Sequence, residues 1–164
     1  MKNIVLIGMM GCGKSTCGRL LAQKLGRELV DTDELIIQRE GMTISDIFAR
    51  KGEAYFRDLE TEIARELGAK SDLIVATGGG LPLREENREA LRENGTVFFL
   101  NRDPEEIFGK ANLNDRPLAQ SGRENFLQRF RDREPVYRAM AHYVMPCLIS
   151  ADHTTDDIIK TLEL

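Results

Sequence analysis

The sequence predicts an α/β fold, a parallel sheet covered by helices on both faces, and three observations carry that prediction. Three short segments, Ile4-Val5-Leu6-Ile7, Leu73-Ile74-Val75-Ala76 and Val97-Phe98-Phe99-Leu100, are apolar at every position instead of at alternate ones. Strands that bury both faces read this way. Segments with apolar stripes at helical spacing fall between them, and such alternation is the pattern of a parallel sheet joined by crossover helices. The third observation is a glycine-rich loop between the first strand and the first helix, at residues 8–15.

Taken in order, residues 4–7 form the first strand and residues 15–25 the first helix, with Cys17, Leu20, Leu21 and Leu25 on one stripe. A short second strand, Glu28-Leu29-Val30, runs into Asp31. Residues 53–67 read as a long helix whose Phe56, Leu59, Ile63 and Leu67 share a face. The third strand ends at Gly78-Gly79-Gly80, and residues 97–100 make the fourth. Asp103-Pro104-Glu105-Glu106 has a capping Asp, Pro at the first helical position and acids in the first turn, so it starts a helix. Residues 110–122 (KANLNDRPLAQSG) are polar and aperiodic. A loop of that length inside a compact domain is expected to act as a lid. A fifth strand around residues 143–149 is interrupted by Pro146, which an edge position tolerates. Thr155-Asp156-Asp157 is expected to open the last helix.

At 164 residues the chain is expected to be a single domain, and a domain of this size buries roughly 70% of its unfolded surface. With 41% apolar and 30% charged residues it has the mix of a soluble globular protein. The net charge of −4 argues against a nucleic-acid or anionic-membrane binder, which would carry a basic excess. Three cysteines, Cys12, Cys17 and Cys147, with no CxxC pair, fit neither a disulfide framework nor a zinc site and point to a reducing cytoplasm. The apolar run after Lys2 is too short for a signal peptide, and no stretch approaches the ~20 apolar residues of a membrane span.

The strongest chemical signal is Gly8-Met9-Met10-Gly11-Cys12-Gly13-Lys14-Ser15, which satisfies GxxxxGK[ST] between a buried strand and an amphipathic helix. Glycines let the backbone curl so that successive amides face phosphate oxygens at the positive end of the helix. The nucleotide-binding set is therefore Gly11, Cys12, Gly13, Lys14, Ser15 and Thr16. Lys14 is placed to reach the β- and γ-phosphates and Ser15 to ligate Mg²⁺, so ATP-type nucleoside triphosphate binding is expected. Cys12, near a helix N-terminus, is a candidate for oxidation, against the plainer role of a small filler.

No NKxD guanine-reading sequence or second nucleotide module is present, which leaves a small kinase with a second substrate to recognise. Asp31-Thr32-Asp33 follows the second strand, at the carboxyl end where open α/β sheets place their ligand crevice. On an extended segment Asp31 and Asp33 would point to one side and share a task, one toward Mg²⁺ and one toward a substrate hydroxyl. The competing role for Asp33 is a helix cap for a segment starting at Glu34. Arg57 and Glu60, three apart on a helix, lie side by side, as a solvated ion pair or as site residues. Gly78-Gly79-Gly80 allows close backbone approach to a ligand, more than a plain turn requires.

GxxGxGKS, DTD, FRxxE, TGGG, the RPL of residues 116–118 and a later RxxxY together resemble the shikimate kinase family, over essentially the whole chain and in the right order. The resemblance implies a P-loop nucleoside monophosphate kinase-like fold with a five-stranded parallel sheet flanked by helices on both faces. It implies ATP-dependent phosphorylation of the 3-hydroxyl of shikimate, a step toward chorismate and the aromatic amino acids, with ATP and Mg²⁺ as cofactors, in a cytoplasmic monomer. The whole chain, residues 1–164, would be one kinase domain, with a substrate-binding segment at about 32–60 and a lid at about 110–121. By the same resemblance Asp33 holds the reacting hydroxyl and serves as base, and Asp31 supports Mg²⁺ with Ser15. Arg57 and Arg133 bind the substrate carboxylate, and the Gly79 and Gly80 amides take further contacts. Phe48 and Phe56 wall the ring, and Glu60 orients Arg57. Arg116 matches the lid arginine that closes over the γ-phosphate with Lys14.

Two features depart from the family pattern. Where many relatives carry an arginine against adenine, this chain has Gly109 and Lys110, and Lys stacks less well on a base. Residues 151–155 lack the basic and proline residues that some relatives place near adenine. Gluconate and nucleotide kinases share the loop and lid but are not expected to pair FR with GGG. A non-catalytic nucleotide-binding module would not be expected to keep Lys14, Asp33 and Arg116 together.

Overall fold

The computed structural model describes residues 1–107 and 120–162. Lys110, Arg116 and most of the expected lid lie outside them.

Five strands form one sheet: β1 (Asn3–Ile7), β2 (Glu28–Asp31), β3 (Leu73–Ala76), β4 (Gly95–Asn101) and β5 (Tyr143–Pro146). Their order is β2-β3-β1-β4-β5, and every pairing is parallel. β1, at the centre, is buried along its whole length, and so is β3. This is the consequence of apolar side chains on both pleat faces, each covered by helices. β5 is one of the two edge strands, with Pro146 as its last residue. Leu148 and Ile149, expected within it, lie beyond it and are exposed.

The helices are α1 (Lys14–Leu25), α2 (Thr32–Glu40), α3 (Ile44–Lys51), α4 (Glu53–Gly68), α5 (Glu85–Glu93), α6 (Gln120–Met140) and α7 (Ala151–Thr161). Asp103 caps a helical turn at 104–107 by accepting from the Glu105 N–H at 2.9 Å. The last helix begins one turn earlier than the Thr155 start expected from sequence. Ser150 is the cap, its hydroxyl accepting from the His153 N–H, while Thr154 and Thr155 are buried inside the helix and bond back to the carbonyls of Ser150 and Ala151. Among the described residues no helix is long and apolar enough to cross a membrane.

Register decides where the site forms. Asp31 pairs with Ala76, and Ala76 with Leu6, so the carboxyl ends of β2, β3 and β1 lie side by side. The chain leaves these three ends as the phosphate loop, the Asp31–Asp33 segment and the triple-glycine turn. Three segments up to 70 positions apart thus open on one crevice, at the end of the sheet where α/β folds bind ligands.

Candidate active site

The phosphate loop opens α1 through Gly13, whose φ of 102° is left-handed and unfavourable for any residue with a side chain. The Lys14 side chain is buried and turns back into the loop, donating to the carbonyls of Gly8 at 2.6 Å and Met9 at 2.8 Å. Cys12 Sγ lies 3.7 Å from the same ammonium. A cavity of about 430 Å³ spreads over the loop and is lined by Gly11, Gly13, Lys14, Ser15, Thr16, Asp31, Asp33, Gly78 and Gly79, with Met10, Thr77 and Arg102.

Asp31 and Asp33 face this cavity by a route other than an extended segment. Thr32 is already the first residue of α2, and Asp31 is its cap, its Oδ1 accepting from the Asp33 N–H at 3.0 Å and the Glu34 N–H at 3.2 Å. The helix cap is thus Asp31 and not Asp33. Asp31 Oδ2 meanwhile accepts from the Ser15 hydroxyl at 2.9 Å. A hydroxyl and a carboxylate oxygen set together are hard donors of the kind Mg²⁺ takes, in a site that leaves most of its coordination to water and phosphate.

Asp33 is left without a capping task and stands against the glycine turn. A side chain at Gly78 would place its Cβ 2.5 Å from Asp33 Oδ1. Burial raises the Asp33 carboxyl above its ordinary pKa, the charge of Asp31 adds to this, and Lys14 and Arg57 oppose it. A carboxylate with raised proton affinity beside a phosphate loop is suited to take a proton from a hydroxyl.

The other two glycines admit the two arginines. A Cβ at Gly79 would lie 3.1 Å from Arg133 Nη1, and one at Gly80 would collide with the Arg57 guanidinium. Arg57, Gly80 and Arg133 do not line the phosphate cavity; the two arginines lie against the glycine turn beside it. Arg57 Nη1 donates to Glu60 Oε1 at 2.7 Å, and Glu60 is 1% exposed, so this is a built pair and not a solvated one. Burial pushes Glu60 up despite the hydrogen bond from Arg57. Phe56 is buried and Phe48 is exposed, their rings 5.0 Å apart, and neither lines the cavity.

A family model for shikimate kinase matches residues 10–163. The chain is 43% identical to a shikimate kinase of Pelotomaculum thermopropionicum, over 99% of this chain and 96% of that one. The chain belongs to the shikimate kinase family. Among solved structures it is similar to the shikimate kinase of Acinetobacter baumannii in complex with shikimate, with a TM-score of 0.89 and 37% identity over 99% of this chain and 94% of that one. A gluconokinase from Sinorhizobium meliloti matches at 16% identity and a TM-score of 0.59, which shows a shared fold alone.

Kinase chemistry with ATP follows from membership of this family, and the structure adds residues that sequence reasoning missed. Thr32, fully buried between the two acids, accepts from the Gly78 N–H at 2.8 Å. Tyr137, the last residue of RxxxY, donates to the Gly79 carbonyl at 2.6 Å. Arg102, beyond the end of β4, lines the cavity and is tied to Glu106 at 2.7 Å. The first two stand inside motifs, DTD and RxxxY, but the sequence gives no sign of these contacts, because the partners lie 46 and 58 residues away. Cys12 is buried at 3% exposure and shares a cleft beside the loop with Cys17 and Cys147. Burial holds the Cys17 thiol up and pushes that of Cys147 to about 11, which keeps both protonated and unreactive.

Proposed function

We propose that this kinase transfers the γ-phosphoryl group of ATP to the 3-hydroxyl of shikimate, with Asp33 receiving the hydroxyl proton. The observation that carries the reading is the place of Asp33: a half-buried carboxyl lines one cavity with the phosphate-loop lysine and stands against the glycine turn whose Gly80 meets Arg57. The acceptor binds with its carboxylate on Arg57 and Arg133, since guanidinium forks suit a carboxylate. Its hydroxyl then falls toward Asp33, and the Gly79 and Gly80 amides hold the remaining ring oxygens. Lys14 leaves the loop carbonyls for the phosphates, exchanging neutral acceptors for charged ones. Ser15 directly and Asp31 through water would hold Mg²⁺, which when bound neutralises charge on the β- and γ-phosphates.

In this reading the whole of residues 1–164 works as one domain. The 32–60 segment seats the acceptor and the lid at about 110–121 closes with Arg116 on the γ-phosphate. Closure excludes water and suppresses hydrolysis of ATP. Lys110 faces the adenine in place of the arginine common among relatives. The enzyme works as a monomer in the cytoplasm, a compartment that suits its three free cysteines.

The test is ADP release from Mg·ATP with and without shikimate, beside gluconate and a nucleoside monophosphate. Release that depends on shikimate alone is expected. Release driven by either of the other acceptors, or by none, would overturn the assignment.

A further inference from the structure

We propose that Tyr137 is a positioning residue of the acceptor site, aiming the Gly80 amide by holding the carbonyl that shares its peptide unit. The inference rests on the function proposed above. Tyr137 is fully buried, its ring packed on Phe99 of β4 with centroids 5.2 Å apart. A phenol in such a place must find a partner for its hydroxyl. Two other segments of the site meet on that one oxygen, which donates to the Gly79 carbonyl at 2.6 Å and lies 3.7 Å from Met9 Sδ in the phosphate loop. Burial pushes the phenol to about 12, so it remains a donor across the working pH range.

The backbone of the glycine turn can be accounted for group by group. The Gly78 N–H donates to Thr32, and the Gly78 carbonyl accepts from the Leu81 N–H at 3.2 Å. The Gly80 carbonyl accepts from the Leu83 N–H at 3.1 Å, and the Gly79 carbonyl accepts from Tyr137. Among the described residues, neither the Gly79 N–H nor the Gly80 N–H has a protein acceptor. These two amides are the groups the turn keeps for a ligand.

Peptide planarity turns this accounting into a mechanism. The Gly79 carbonyl and the Gly80 N–H belong to one rigid unit and point in opposite directions. Fixing the carbonyl against Tyr137 therefore fixes the direction of the Gly80 amide. The unit lies between two glycines, the residues least able to hold a peptide orientation by themselves. Without the hydroxyl, the carbonyl is free to turn toward water and take the amide with it. The Leu81 N–H holds the Gly78 carbonyl, and with it the Gly79 amide, in the same manner, while Thr32 holds the Thr77–Gly78 unit before it.

The test compares Tyr137→Phe with the parent chain, with Phe99→Leu as a control that loosens the Tyr137 ring but keeps its hydroxyl. Tyr137→Phe is expected to raise the KM for shikimate about five- to tenfold, with kcat and the KM for ATP within about twofold of the parent. Phe99→Leu is expected to lower Tm and leave the KM for shikimate unchanged. An unchanged KM for shikimate in Tyr137→Phe would overturn the role, and so would an equal rise for both substrates. A rise in Phe99→Leu matching that in Tyr137→Phe would overturn it as well, by making the effect one of packing. No shikimate-dependent turnover by the parent chain would defeat the functional reading and this inference together, which separates that failure from the others.

Discussion

Replacing Arg57 by alanine removes two things at once, and the structure lets them be measured apart. The first is recognition of the acceptor. A charge-assisted hydrogen bond contributes about 1.5–3 kcal/mol, which at 1.4 kcal/mol per decade is about a 10- to 150-fold rise in the KM for shikimate. The KM for ATP should stay near the parent value, because Arg57 does not line the phosphate cavity. The second loss is the partner of Glu60, a carboxyl whose side chain is 2% exposed. Breaking a buried pair from one side costs about 3–5 kcal/mol. Glu60 can take a proton to escape part of that, so about 2–3 kcal/mol is the working figure. In a domain of this size it lowers Tm by roughly 5–10 °C.

The pH dependence identifies which part is which. Burial already holds Glu60 above the ordinary glutamate pKa, and Arg57 is the main group opposing it. Without Arg57 the native pKa rises further, so the native chain keeps a proton that the unfolded chain sheds above about 4.5. The native state then binds more protons, and stability falls as pH rises from that value through the native pKa. Arg57→Ala should therefore lose less stability at pH 5 than at pH 8 in thermal melts. Adding Glu60→Gln should restore the melt at pH 8 but not the KM for shikimate. A Tm deficit independent of pH would refute the Glu60 argument, and equal rises in KM for both substrates would refute the assignment of Arg57.

Four further perturbations have defined outcomes. Asp33→Asn should leave ATP binding by calorimetry intact and cut turnover by about 100- to 10,000-fold; near-normal turnover would remove Asp33 from the chemistry. In the parent, activity should fall with acid as Asp33 protonates, at a pH above the ordinary carboxylate range because burial raises it. Gly79→Ala needs no left-handed backbone, yet its Cβ must displace the Arg133 guanidinium; kcat/KM for shikimate should drop about 10- to 100-fold with little change in Tm. His142 Nδ1 accepts from the Val97 N–H at 2.9 Å, and burial, with the charges of Arg92 and Lys2, lowers its pKa. The unfolded chain thus protonates first, near 6.5, and stability is lost as pH falls below that value. The decline should flatten in His142→Gln, and identical pH–Tm curves would discount the bond.

The sheet was legible because β1, β3 and β4 are apolar on both faces, a pattern that few other elements produce. The phosphate loop was legible because its flanking elements and its glycines demand one another. Helix starts were less so. Thr155-Asp156-Asp157 has the composition of a first turn, but Ser150 lies earlier and caps α7, and a helix once begun carries Thr154 and Thr155 as interior residues with their hydroxyls turned back on the backbone.

Asp31-Thr32-Asp33 shows why a motif can be read correctly as a site and wrongly as a geometry. Period-two logic places both acids on one side of a strand, but the strand ends at Asp31, whose own side chain starts the helix. Capping by Asp31 is what frees Asp33, since one carboxylate satisfies the helix amides and the other is left facing Lys14 and Arg57. The same step buries Thr32 against Gly78 and so holds the glycine turn at the distance Asp33 requires. Asp31→Ala would leave the helix to recruit another acceptor, and Asp33 is a carboxylate in its first turn. That variant should therefore lose turnover as well as Mg²⁺ affinity, whereas Asp31→Asn, which keeps a capping oxygen, should lose mainly the metal. Titration of activity against Mg²⁺ separates the two. If Asp31→Ala recovered full turnover at saturating Mg²⁺, the cap would have no part in keeping Asp33 free for catalysis.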